Sequence, residues 1–488
     1  MTTEKQAAIA AIEEKADLVA QVADQIWSFA ELSLQEEQSA ALYCRVLEQE
    51  GFTVEKGICS IPTAFSATYG SGRPIIGFLA EYDALSGLSQ KGGSLERQEL
   101  VPGGCGHGCG HNLLGAGALA AALGVKAYLE STKTPGTVVL YGCPGEEGGA
   151  AKAFMARDGL WYGLDAALTW HPDDANEVLT GSSNSCIQTQ YHFTGVAAHA
   201  AGDPDRGRSA LDAVELMNVG VQFLREHMIP EARVHYAITN TGGYSPNVVQ
   251  PEAEVLYLIR SPKNIQVREL HERVTAIARG AAEMTGTRME EDFVKACSNL
   301  VPNDTLCELM WENVQALPVP QYTEEERSYA KAIRATVPKQ KTYLQLSMEL
   351  LGSRKGRAHA EGWDEEEPIF TKPLPYEPTD AVMPGSTDVG DVSCVCPTVQ
   401  CYVTTQAAGS PGHSWQVVAQ GKSGIAHKGM IYAAKIMAAT AIDLCHRPDV
   451  LEAAKAELKD RLAEDGGSYV PPIPAGVRPR IIQPGKQR

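Results

Sequence analysis

The sequence predicts an α/β protein: a mixed-sheet catalytic domain carrying an inserted α+β domain of ferredoxin-like plan. Three observations predict it. Strand-like apolar runs repeatedly deliver a carboxylate or a histidine at their C-terminal ends, where open α/β sheets keep their chemistry. A glycine-rich loop, Gly106 to Asn112, sets Cys109 two residues from His111 just before an Ala-rich apolar segment, Leu113 to Leu129. The stretch 186–297 then changes texture and follows β-α-β-β-α-β order. The chain is thereby divided into a first part, 1–185, an inserted second domain, 186–297, and a final part, 298–488.

Composition narrows the function classes. With 488 residues, 44% of them hydrophobic, the chain can bury a large core. Its net charge of -18 argues against nucleic acid and anionic membrane as partners, so an anionic substrate must be met by local positive charge. The first 17 residues mix Lys with Glu and lack an apolar run, which predicts no signal peptide. Gly115 to Val125 is too short and too rich in Gly and Ala to span a bilayer. A cytoplasmic protein is expected. The twelve cysteines are scattered rather than spaced as a framework, so most should be small buried thiols.

Taken in order, Ala7 to Gln49 carries apolar residues at three- and four-residue intervals and predicts one or two amphipathic helices, stopped by Gly51. Strands are expected at Phe52–Val54, Ala64–Tyr69 and Pro74–Leu79. The last leads into Glu81-Tyr82-Asp83, where Asp83 could orient a metal ligand or cap a solvated turn. In the loop that follows, three glycines let the backbone fold tightly, and Cys109 and His111 can turn soft donors toward one point. Asn112 reads as the N-cap of the next helix, whose N-terminal dipole favours a thiolate.

The strand Thr137–Tyr141 runs into Gly142-Cys-Pro-Gly-Glu-Glu-Gly-Gly149. Adjacent Glu146 and Glu147 point in different directions, so one can bind metal while the other carries protons. A helix, Ala150–Asp158, and a strand, Asp165–Trp170, lead to His171. In the insert, strands are expected at Ile187–Thr194, Ala232–Asn240, Ala253–Ser261 and Thr287–Val294, with helices at Ser209–His227 and Gln266–Met284. It holds His199, Asn247 and Arg260. Helices resume near Asn303–Leu317 and Glu324–Thr336, while 338–384 gives no clear period and reads as long loops with some helix. A strand, Thr398–Thr404, precedes His413, a closing helix spans Gly429–Leu444, and the Pro-rich end from Tyr469 reads as an extended tail.

Collected, GHGCGHNLLG (106–115), YGCPGEEGG (141–149), ALTWHP (167–172), GRSALDAV (207–214), ARVHYAITN (232–240), SPNVVQ (245–250), EVLYLIR (254–260), STDVGDVS (386–393) and SGIAHKGM (423–430) resemble, in this order, the metal-dependent amidohydrolases of the aminoacylase and carboxypeptidase superfamily. The resemblance covers nearly the whole chain and implies a metallopeptidase-like catalytic domain, made of 1–185 and 298–488, around a lid or dimerisation domain, 186–297. It implies a binuclear metal site of Cys109, His111, Glu147, His171 and His413, with Glu146 as the general base. It further implies that His199 reaches the developing oxyanion from the small domain of a partner subunit, and that Asn247 and Arg260 grip the substrate carboxylate. From the residues alone, Asn247 and Arg260 read equally as a capping Asn and a surface Arg.

Relatives with this Cys-x-His loop imply two Mn2+ ions, whereas a thiolate among imidazoles suits Zn2+ on softness grounds. The implied reaction is hydrolysis of an N-acyl amino acid, an aromatic acyl group on an acidic amino acid such as p-aminobenzoyl-glutamate. An indoleacetyl-aspartate conjugate is the alternative. A homodimer is implied, with a hetero-oligomer containing a related chain as the alternative. Two rival classes are a non-catalytic subunit and a cysteine hydrolase with Cys109 as nucleophile. Asp83 keeps the two readings given above, His107 beside the site is open to substrate contact, and Asp388 and Asp391 receive no role.

Overall fold

In the computed structural model, residues 2–337 and 343–480 are described. The chain forms two compact units. The larger comprises residues up to Ser182 together with Val301–Met383 and Val392–Tyr469. At its centre lies a seven-stranded mixed sheet in the order Thr53–Lys56, Phe65–Ser71, Gly136–Gly142, Ile75–Ala80, Ala166–Asp173, Thr398–Thr404, Glu177–Val178. The four middle strands run parallel, and antiparallel strands close both sides. Parallel strands place their carboxyl ends along one edge, and the residues that follow these four strands carry the candidate chemistry.

Burial on both faces explains the sequence of the middle strands. Val138, Leu140, Ile76, Phe78, Ala166, Leu168, Val399, Cys401 and Val403 are all buried, a near-continuous apolar composition that a doubly covered parallel sheet requires. Helix His111–Thr132 packs on this sheet and against helices Thr3–Glu14 and Gly424–His446. Close approach is possible because a side chain is missing where it would collide: a Cβ on Gly117 would stand 2.7 Å from Nε1 of Trp170. Trp170 in turn donates that N–H to the Leu114 carbonyl at 2.9 Å, fixing the helix to the strand that carries His171. This helix is long and apolar enough to cross a membrane, but 89% of its apolar window is buried inside the fold, as a core helix is.

Among the described residues the smaller unit comprises Ser183–Leu300, Pro384–Asp391 and 470–480. Its antiparallel sheet has the order Arg288–Cys297, Ser185–Thr194, Glu252–Ser261, Arg233–Asn240, with helices Ala210–Leu224 and Asn264–Thr285 packed on it. That is the ferredoxin-like arrangement. The sequence places the insert at 186–297, and a contiguous reading cannot include the two distant segments that pack with it. Within the unit, buried Asp391 accepts the backbone N–H of Ser298 at 2.8 Å and its hydroxyl at 2.8 Å.

Several local expectations need correction. Three helices, Thr3–Glu14, Ala16–Phe29 and Glu37–Gln49, precede the first strand instead of one or two. The strand holding His171 continues to Asp173, because parallel pairing with Thr398–Thr404 extends across it. Helix Gly424–His446 starts five residues before the expected Gly429, capped by the Ser423 hydroxyl. Helix Pro448–Glu464 is unforeseen. The 338–384 stretch contains helices Tyr343–Leu351 and Ser353–His359, while its residues 338–342 lie outside the described residues. In the Pro-rich tail, likewise, residues 481–488 lie outside them.

Candidate metal centre

The donors arrive from segments far apart along the chain. Cys109 and His111 come from the glycine loop, whose Gly110 holds φ +75° and abuts Pro172, where a Cβ would meet the proline ring at 2.9 Å. Gly110, not Asn112, is the N-cap, so the helix begins at His111 itself. Asn112 is buried within the helix, and its amide donates to the Gly421 carbonyl at 3.1 Å. Glu146 and Glu147 follow strand Gly136–Gly142, and His171 lies near the end of its strand. His413 adopts φ +56°, a strained value for a histidine, and its N–H donates to the Gly108 carbonyl at 2.9 Å, docking it on the metal loop.

These side chains converge. Donor atoms fall within 4.8 Å of one another in three sets: Cys109, His111 and His171; Cys109, Glu147 and His413; His111, Glu146 and Glu147. Cys109 Sγ lies 3.4 Å from His171 Nε2, and His413 Nε2 lies 3.3 Å from Glu147 Oε1. Burial by itself would raise the Cys109 thiol, but the facing charges and hydrogen bonds of His111 and His171 hold it well below the ordinary thiol range. Cys109 is thus a thiolate, the form that binds metal. Against burial, that thiolate lifts His171 to about 9. Hydrogen bonding to Cys109, then to Glu147, takes His413 to about 10. Burial raises Glu147, opposed by its bond to His413.

Around the donors stands a buried scaffold. Asp83 Oδ1 accepts the His111 ring nitrogen Nδ1 at 2.9 Å, while Oδ2 accepts the Ser33 hydroxyl at 2.7 Å and the Glu147 N–H at 3.0 Å. With Nδ1 so engaged, His111 has Nε2 left for the cluster, where it faces the Cys109 sulfur and lies 3.3 Å from Glu81 Oε2. Imidazole nitrogens, a thiolate and carboxylates that converge on common points are the donor chemistry a divalent cation requires, so the residues fit a metal site. Ser33 also accepts the Gly148 N–H at 2.9 Å, and Glu36 accepts that of Gly145 at 2.8 Å, bracing the loop of Glu146 and Glu147 at both ends.

The remaining candidates lie in the smaller unit. His199 is exposed, and its Nδ1 accepts the N–H groups of Ala201 at 3.2 Å and Gly202 at 3.0 Å, which leaves the ring proton on Nε2. Val248 pairs with His199, and the Asn247 carbonyl accepts the Ala200 N–H at 3.0 Å, so Asn247 and His199 share one loop cluster. Arg260 sits in the sheet between Cys186 and Arg233 and donates to the Pro384 carbonyl at 3.2 Å. His107, by contrast, is buried, its Nε2 bonded to the Ile26 carbonyl at 3.0 Å, and burial lowers it to about 4; it is a packing residue.

Sequence reasoning missed Ser33, Glu36, Glu81 and Lys152. The first two carry no signal, standing in an apparently ordinary junction between helices. Glu81 had one, the strand end it shares with Asp83. Lys152 looks like any surface lysine of a short helix.

A thiolate, imidazoles and paired carboxylates at the carboxyl edge of a mixed sheet, in a chain with a second ferredoxin-like unit, define a metal-dependent hydrolase. The chain belongs to peptidase family M20/M25/M40, whose profile matches residues 77–361. It is 46% identical to one of the chains of the p-aminobenzoyl-glutamate hydrolase of Escherichia coli K12, over 97% of this chain and 98% of that one. It is 29% identical to the Xaa-Arg dipeptidase of Mus musculus, over 94% and 93% of the two chains. Among solved structures, a dinuclear metal-binding M20 peptidase of Bacillus subtilis superposes with a TM-score of 0.54 at 17% identity, covering 89% of this chain and 99% of that one, a likeness of fold.

Proposed function

We propose that this enzyme hydrolyses the amide bond of an N-acyl amino acid, with p-aminobenzoyl-glutamate as its substrate and p-aminobenzoate and glutamate as products. One observation carries the chemistry: Cys109, His111, Glu147, His171 and His413, from segments far apart in sequence, turn their donor atoms toward common points beside Glu146. The substrate rests on the 46% identity to the named hydrolase. Because Cys109 belongs to two of the three converging sets, the reading is of two adjacent divalent ions, Mn2+ with Zn2+ as the alternative.

When bound, such ions polarise the amide carbonyl and make water acidic enough to ionise near neutral pH. The chain's own groups do the rest. Glu146 takes a proton from the attacking water on its carboxylate and returns it to the departing nitrogen, without which the amine is a poor leaving group. His199, carrying its proton on Nε2, donates a hydrogen bond to the developing oxyanion in the site of a partner subunit. Asn247 and the Arg260 guanidinium hold the substrate carboxylate and supply the positive charge that an acidic chain needs.

A homodimer built through the smaller unit is part of this reading. Strand Arg233–Asn240 is a sheet edge that exposes Tyr236 and Ile238, and helix Ala210–Leu224 exposes Val219 and Phe223 one turn apart, which supports association there.

The test is the purified chain alone, loaded with Mn2+ or Zn2+, against acyl-glutamates, acyl-aspartates and dipeptides ending in Arg, with release of free amino acid measured. Cleavage of p-aminobenzoyl-glutamate, abolished by a chelator, is expected. Activity that appears only with a second, related chain would make this one component of a hetero-oligomer. Activity that survives chelation and is lost on thiol alkylation would favour the cysteine nucleophile.

A further inference from the structure

The hydrolase reading leaves one buried ion pair without a task. Lys152 is the one lysine or arginine buried among the described residues, and its Nζ lies 2.7 Å from Oε1 of Glu81, which is 2% exposed. Desolvating two ions can cost more than their attraction returns, so a fully buried pair beside a reaction centre calls for a functional account. Glu81 follows strand Ile75–Ala80 and precedes Asp83 by two residues; Lys152 is the second residue of helix Ala151–Arg157, which follows the loop of Glu146 and Glu147.

The other oxygen of Glu81 shows what the pair does. Oε2 lies 3.3 Å from Nε2 of His111, the nitrogen that faces the converging donors. The same spacing separates the donors themselves, 3.4 Å from Cys109 to His171 and 3.3 Å from His413 to Glu147. Glu81 nevertheless belongs to none of the three converging sets. A carboxylate binds divalent cations readily through one oxygen or two. Here one oxygen is held by an ammonium and the other reaches His111 Nε2 without joining any set of three donors, so Glu81 is a ligand kept back.

We propose that Lys152 is a positioning residue that clamps Glu81 away from a cation on His111, keeping the neighbouring coordination position open to exchangeable ligands. The proposal rests on the metallohydrolase reading. It makes an unusual demand: removing Lys152 should strengthen cation binding while impairing turnover, because the released carboxylate closes on the ion. A residue that merely supports the fold would weaken cation binding when removed.

The experiment compares wild type, Lys152→Met and the double variant Lys152→Met/Glu81→Gln. Retention of Mn2+ and Zn2+ is measured by competition with a chromogenic chelator, alongside turnover of p-aminobenzoyl-glutamate. K152M is expected to hold the cation about tenfold more tightly and to turn over about a hundredfold more slowly, the range over which groups around a metal act. The double variant, with two neutral groups of similar size, is expected to return to within about threefold of wild type in both. Weaker cation retention in K152M, or a double variant as slow as the single one, overturns the clamp. Should K152M not fold, the double variant decides alone, and a loss of cation or of more than about tenfold in turnover overturns the proposal. A wild-type chain that binds no divalent cation would sink the hydrolase reading as well, whereas a wild type that binds and reacts while the variants break this pattern sinks only the clamp.

Discussion

Asp83→Asn offers the sharpest test of how the metal centre is held. The substitution keeps size and removes one charge. Asp83 is buried and accepts on both sides: His111 Nδ1 on Oδ1, and the Ser33 hydroxyl with the Glu147 N–H on Oδ2. Burial would raise its carboxyl, but the hydrogen bond and charge of His111 hold it well below the usual range, so the native acceptor is a carboxylate. An amide can accept on one side only. If its oxygen serves Ser33 and Glu147, its NH2 faces Nδ1, and the imidazole proton must move to Nε2, the nitrogen required for the metal. If the amide is turned round, its NH2 opposes the Glu147 N–H and disturbs a second proposed ligand. A hydrogen bond to a charged group is worth about 1.5–3 kcal/mol, and changes of this kind typically lower metal affinity about 10–100-fold. Chelator competition at neutral pH measures the loss, and thermal unfolding of the chelated protein separates it from a folding defect. Asp83→Asn holding metal within about threefold of wild type would refute the orienting role. Ser33→Ala, which spares the Asp83–His111 bond, should lose about 1 kcal/mol of stability and little metal.

Three further outcomes are expected. Glu146→Ala should be metal-loaded and inert, at least about a hundredfold slower, since a positioned general base contributes that much; near-normal turnover would remove it as the base. His199→Ala should lower turnover with metal content intact, and loss of the metals from that variant, read by elemental analysis, would show that its role is structural. Glu36 is raised to about 8 by burial, then by the Asp83 charge, above its unfolded value of 4.5. Stability from the protonated acid is therefore fully present below about pH 4.5 and is lost as pH rises through about 8. Glu36→Gln, which mimics the protonated form and can still accept the Gly145 N–H, should gain on wild type by a few kcal/mol, on the order of what that shift implies, between pH 5 and 9 in urea unfolding. An equal pH dependence in both proteins would show that Glu36 stays ionised.

Much of the centre is legible in the sequence. The Cys-x-His loop, the Glu-Glu pair and the histidine after an apolar run are local patterns, because a glycine-rich turn and a strand terminus are set by neighbours in sequence. His413 was legible only through resemblance, since its position against Gly108 depends on contacts across some three hundred residues of chain. Helix Pro448–Glu464 was passed over because its buried face, Val450, Leu451, Ala454 and Leu458, is thin among charged residues and gives a weak period. Asn112 reads as a cap because caps and buried amides share a residue type, whereas the cap is Gly110, which takes the left-handed angle without strain and without a Cβ to meet Pro172.

The sequence by itself determined the αβ alternation, the ferredoxin-like insert and the kinds of donor present, since hydrophobic period and side-chain chemistry are properties of short segments. Tertiary structure alone decided that Asp83 fixes the His111 ring, that Ser33 and Glu36 brace the loop of Glu146 and Glu147, and that a lysine from one helix is buried against Glu81. Hydrogen bonds and ion pairs between distant segments depend on register and packing to within an ångström, and no spacing along the chain encodes them.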